Sequence, residues 1–132
     1  MEPALEYNSS MIPERVCSAV LQKRGNAVLE KKKRLEKRKE EAFREISRLV
    51  KAFQQIDPFL GRIILFGSLA EDTVSSEQFD IDLAFEGREY YRCAAETLGS
   101  PFKIDLVDYR ICAPHIKNEI DTKGTIVYDP RS

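Results

Sequence analysis

The stretch FGSLAEDTVSSEQFDIDLAF, Phe66 to Phe85, decides how this chain is read. It opens on a Gly-Ser pair and closes on two aspartates, Asp80 and Asp82, one residue apart inside an apolar run. Aspartate is a poor strand former and is costly to bury without a partner. The run FDIDLAFEG (Phe79 to Gly87) nevertheless alternates as a strand does, and Gly87 ends it. Alternation puts Asp80 and Asp82 on one face and Ile81 and Leu83 on the other, toward a core.

Two carboxylates this close repel. The usual remedy is a bound cation, and hard divalent ions such as Mg²⁺ prefer oxygen ligands. Further along, KIDLV sets Asp105 between Ile104 and Leu106, the same local pattern. If the two strands are neighbours, three carboxylates meet on one edge of one sheet. The glycine of Gly67-Ser68 lets backbone approach a ligand closely, and the serine can cap the next turn, leaving N–H groups for a phosphate. Carboxylates for metal beside a phosphate cradle are what phosphoryl or nucleotidyl transfer needs.

Outward from this stretch the chain alternates between strands and helices. GRIILFG (Gly61 to Gly67) reads as a compact strand. REYYRCAAETLG (Arg88 to Gly99) is a helix with a glycine stop, and FKIDLVDY (Phe102 to Tyr109) a third strand. PHIKNEIDTKG (Pro114 to Gly124) is a helix from proline to glycine, and TIVYDP (Thr125 to Pro130) a last strand. That order predicts an α/β or α+β domain over 57–132: a small mixed sheet of about four strands flanked by helices.

Before Asp57-Pro58 the texture is different. Residues 1–12 are expected to be disordered. Residues 13–56 are expected to form a long helical extension, starting on Pro13 and weakest at Gly25-Asn26. Ala42, Phe43, Ile46, Leu49, Val50, Phe53 and Ile56 follow the i, i+3, i+4, i+7 rule, so the second half should dock on a core. The first half carries apolar residues only at heptad spacing, with lysines and arginines between. Lys23 to Lys51 holds 12 Lys/Arg against 5 Asp/Glu, a net of +7, leaving −8 for the rest. This basic arm has three readings: a solvated helix, a homo-oligomer or partner helix, or a nucleic-acid contact.

The remaining composition excludes several classes. No apolar run approaches the ~18 residues of a membrane span, and the acidic N-terminus lacks a signal-peptide core. Cys17, Cys93 and Cys112 are scattered and odd in number, which fits reduced thiols in a cytoplasmic protein.

The segment Phe66–Phe85 with Asp105 resembles the signature of the nucleotidyltransferase superfamily that includes DNA polymerase beta. There Gly-Ser follows a first strand, Asp-x-Asp lies on a second, and a third Asp on a later one. The chain length and the ending KNEIDTKGTIVYD are most similar to the minimal nucleotidyltransferases, or MNT proteins. The resemblance covers roughly Phe53 to Asp129. It implies the nucleotidyltransferase fold, with Gly67 and Ser68 contacting the triphosphate and Asp80 and Asp82 binding Mg²⁺, in a two-metal site. Asp105 would complete the metal site or take the acceptor's proton. It also implies transfer of a nucleoside monophosphate, AMP from ATP above all, to a hydroxyl. The acceptor could be a helical HEPN-type partner, as for MNT antitoxins; the alternative is a catalytically weakened module that masks such a partner sterically.

The chain departs from that pattern in places. Leu69 stands where relatives commonly have arginine, Asp72 where they have a second glycine, and Phe79 where serine often precedes the pair. The spacer Leu69–Phe79 is one residue longer than usual. Lower activity or a different acceptor would follow from the lost arginine. Plainer readings also exist. Asp80 and Asp82 could form a solvated strand edge, and Ser68 could be only a cap. Asp108 reads as a strand-end residue, His115 as an exposed helix start, and Tyr90 and Tyr91 as packing residues.

Overall fold

A computed structural model describes residues 14–131, with side chains described from Gly25 onward. The expected disorder over 1–12 and the start on Pro13 lie outside the described residues. Helix α1 runs from Glu14 to Ile56 without a break at Gly25-Asn26. Strand β1 (Ile63–Phe66), the short helix α2 (Ser68–Glu71) and strand β2 (Ile81–Phe85) follow. Next come α3 (Tyr90–Thr97), β3 (Ile104–Asp108), α4 (Pro114–Lys123) and β4 (Thr125–Tyr128). Two compact units are present, Met1–Lys37 and Arg38–Ser132, so α1 contributes residues to both.

In the first unit the described helix surface is solvated, and Arg34 pairs with Glu30 one turn away at 4.0 Å. Such exposed i, i+4 pairs support a helix weakly.

The sheet has the order β3-β2-β1-β4. β1 lies antiparallel to both β2 and β4. β2 and β3 are parallel, so the sheet is mixed, as expected. A parallel neighbour needs a crossover, and α3 supplies it between β2 and β3. The antiparallel pair β1 and β2 is joined instead by α2 and the exposed segment after it.

Register divides the apolar residues between two faces. Ile63, Leu65, Ile81, Leu83, Phe85 and Leu106 share one face. They form one cluster with Ala42, Ile46, Leu49, Val50 and Phe53 of α1 and Cys93 of α3. The expected docking stripe of α1 is therefore mostly buried, with two exceptions: Phe43 is half exposed and Ile56 is only partly buried. Phe53 meets Phe85 edge to face at 5.9 Å, a favoured aromatic geometry. The other face carries Ile64, Phe66 and Ala84, covered by Ile120 and Ile116 of α4.

Ionic and capping contacts close the rim. Arg62 grips Glu86 through two hydrogen bonds, at 2.7 and 2.9 Å. Asp57, expected only to mark the end of the helix, is fully buried. Its carboxylate accepts hydrogen bonds from the backbone N–H groups of Phe59 at 2.8 Å, Arg88 at 2.7 Å and Glu89 at 2.9 Å. One side chain thus ties the end of α1 to the approach of α3. A Cβ at Gly87 would lie 2.4 Å from that carboxylate, so only glycine lets the chain pass there.

Candidate active site

The second face of the sheet changes character along β2. Ala84 and Val107 lie under α4, but two residues back the same face presents Asp82 and Asp105. These two are directly paired across β2 and β3, and neighbouring strand residues in register point the same way. The condition that the two aspartate strands be adjacent is met. On the other side Asp82 is paired with Phe66, the last residue of β1. Gly67 comes next, turning with φ 78°, a conformation that favours glycine. A Cβ there would lie 2.2 Å from Asp82 Oδ2, so the Gly67 backbone runs directly against the carboxylate.

Asp80 differs from the expectation. β2 begins at Ile81, so Asp80 sits just before the strand, and its side chain is 48% exposed. The two aspartates still sense each other. Burial, helped by Asp105, Asp80 and then Glu119, pushes the Asp82 carboxyl up to about 6. Desolvation and like charge both disfavour its ionised form. Lys103 is the opposing influence on Asp82, and its ammonium lies 3.6 Å from Asp80 Oδ2.

Ser68 is the first residue of α2 rather than its cap. Gly67 holds the cap position, without a side-chain cap bond. The Ser68 carbonyl accepts the N–H of Thr73 at 3.0 Å, closing the turn behind α2. Leu69 is buried in the main core, and Asp72 sits in the left-handed region at φ 57°. Asp72 is also gripped by Lys39 of α1 at 2.8 Å.

The plainer assignments also have places. Asp108 ends β3 and accepts the Arg110 N–H at 3.2 Å. His115 is exposed on α4. Tyr90 packs against Phe85 and donates its hydroxyl proton to the Leu106 carbonyl at 2.5 Å, while Tyr91 is mostly exposed.

Sequence reasoning missed two charged groups at this site. Lys103 was legible in principle, because it lies two residues before Asp105 and so on the same face. Glu119 was not, since the residue next to Ile120 on α4 faces the sheet only once α4 is docked.

The family model for the nucleotidyltransferase domain matches residues 46–127, from the middle of the docked helix to β4. The chain belongs to that family. Nucleotidyl transfer is therefore the chemistry of this domain. No curated protein is significantly similar in sequence. Among solved structures, the fold is similar to a toxin-antitoxin with AMP-PNP, with a TM-score of 0.55 and 23% identity over 64% of this chain and 73% of that one. The MntA-HepT toxin-antitoxin gives a TM-score of 0.50 and 21% identity over 64% and 70%. A candidate nucleotidyltransferase from Sulfolobus solfataricus gives 0.57 and 12% over 75% and 90%. At these identities the likeness is one of fold.

Among the described residues, no three acidic, cysteine or histidine side chains are grouped so that they could hold a metal ion. Nor is any helix there long and apolar enough to cross a membrane.

Proposed function

We propose that this nucleotidyltransferase moves AMP from ATP to a hydroxyl acceptor, with Mg²⁺ held by Asp80, Asp82 and Asp105. The carrying observation is the in-register pair Asp82 and Asp105 with the Gly67 backbone against Asp82. The donor set fits a hard cation in its chemistry: all the ligands are oxygens, and the most buried of these carboxylates is destabilised by burial first and then by its acidic neighbours. A bound Mg²⁺ would supply the missing positive charge, offset the negative charge of the triphosphate and lower the acceptor hydroxyl's pKa.

The chain's own residues then divide the work by position. β2 carries Asp82 between β1 and β3. The turn Gly67-Ser68 leaves β1, so the triphosphate belongs on that side. Asp105 lies on the opposite side, so the acceptor belongs there. The acceptor oxygen bonds to the α-phosphorus as the bond to the bridging oxygen breaks. Pyrophosphate leaves with that electron pair, and the hydroxyl proton passes to a carboxylate oxygen of Asp105.

A protein acceptor suits the fold likeness to the toxin-antitoxin structures, one of which was crystallised with AMP-PNP. We read the chain as a cytoplasmic antitoxin-type enzyme acting on a helical, HEPN-type partner. The test is label transfer from α-labelled ATP with Mg²⁺ and the co-purified partner. Transfer that persists in the Asp80→Asn/Asp82→Asn double variant refutes the residue roles.

One observation favours the steric alternative. Leu69 is sealed in the core, so the cation that relatives carry at this position is replaced by a packing residue. Inhibition of the partner that survives the double substitution and needs no ATP would establish masking instead.

A further inference from the structure

Lys103 stands beside the acidic edge without being one of its carboxylates. It is the last residue before β3, and its carbonyl accepts the Ile81 N–H at 2.9 Å, which starts the pairing of β2 with β3. Its backbone is therefore fixed at the mouth of the site. Its side chain is 78% exposed and contributes to neither core cluster. Its ammonium lies 3.6 Å from Asp80 Oδ2 and acts on Asp82 against Asp105, Asp80 and Glu119.

We propose that Lys103 makes this site select the metal–nucleotide complex over the free metal ion. The selection is by charge, given that Asp80, Asp82 and Asp105 hold the metal as proposed. Left alone, the acidic edge would attract any dication, filling the site before substrate arrives. An ammonium beside Asp80 repels an approaching +2 ion and offsets one of the carboxylates that would hold it. The complex of Mg²⁺ with ATP carries a net charge near −2, and the same ammonium attracts it. Lys103 thus opposes one ligand and favours the other from a single position, without touching the reacting atoms. It is a positioning and selectivity residue, not a catalytic one.

The opposite signs make the test specific. Calorimetric titrations would use Mn²⁺ alone and the Mg²⁺ complex of a non-hydrolysable ATP analogue. Lys103→Met should bind Mn²⁺ about threefold to tenfold tighter and the nucleotide complex weaker by a similar factor, the size expected for unit charges several ångströms apart in water. Lys103→Arg should behave as wild type in both titrations. Shifts in the same direction would mean a general change in the site, and shifts under twofold in both would mean a solvated surface pair of no consequence. Either result overturns the proposal. Asp82→Asn is the control for the site itself and should lose both ligands. If it binds the nucleotide complex as wild type does, the carboxylate assignment fails whatever Lys103 does. A wild type that binds neither probe overturns both.

Discussion

Asp82→Asn should make the protein more stable while abolishing its chemistry. The carboxyl of Asp82 is pushed from the usual 3.8 up to about 6 by burial and by Asp105, Asp80 and Glu119. Between those two values the folded chain holds the proton more tightly than the unfolded one. Stability therefore falls as pH rises through that window; the penalty is complete above about pH 6 and absent below about pH 3.8. A displacement of this size corresponds to on the order of 3 kcal/mol. Solvent screening of a half-open carboxylate reduces that to about 1–2 kcal/mol. Asparagine keeps the shape and removes the charge. In a unit of this size the melting temperature should rise by roughly 5–10 °C at pH 7.5. The assay is thermal unfolding from pH 3.5 to 8 for both proteins without divalent ions. The variant's advantage should appear above pH 6 and fade below pH 4. An Asp82→Asn protein that is less stable at pH 7.5, or whose advantage does not depend on pH, refutes the electrostatic reasoning.

Two further substitutions probe the frame around the site. Gly67→Ala forces a Cβ onto the Asp82 carboxylate and an unfavourable φ of 78°. It should cost about 1–3 kcal/mol in denaturant unfolding and abolish transfer; wild-type transfer would show that the turn does not need glycine. Asp57→Ala strips three backbone N–H groups of their buried acceptor. It should cost about 3–5 kcal/mol by chemical denaturation with no direct effect on nucleotide binding; a loss under 1 kcal/mol would mean that water replaces the carboxylate.

The order of elements was legible because each carries its own period and its own glycine or proline punctuation. The meeting of Asp82 with Asp105 was legible only as a condition: alternation puts both on one face if their strands are neighbours, and the adjacency and the exact register come from the sheet itself. Element ends were less legible. Asp80 reads as part of a strand by alternation, yet β2 pairs only from Ile81, where the Lys103 carbonyl becomes available. Asp57 reads as a boundary because Asp-Pro commonly ends a helix. Its burial depends on a loop more than thirty residues away, and local pattern carries no trace of that. Glu119 was hidden for the same reason. Its relation to Asp82 exists only after α4 has packed over Ile64 and Phe66.

The departures between Leu69 and Asp72 acquire a physical meaning from this placement. A glycine at position 72 would suit the left-handed turn that closes α2, and aspartate tolerates that region better than most residues with a side chain. Lys39, reaching over from α1, pairs with it at 2.8 Å. The turn can therefore follow the course a glycine would give it. At position 69 the helix directs its side chain inward, and leucine fills core volume there. Neither change needs to displace Gly67 or the carboxylates. What they alter is charge: one cation fewer at position 69, one anion more at position 72, the latter paired with Lys39. Any loss of affinity for a triphosphate should then be electrostatic and salt-dependent, with the geometry of the acidic edge left intact.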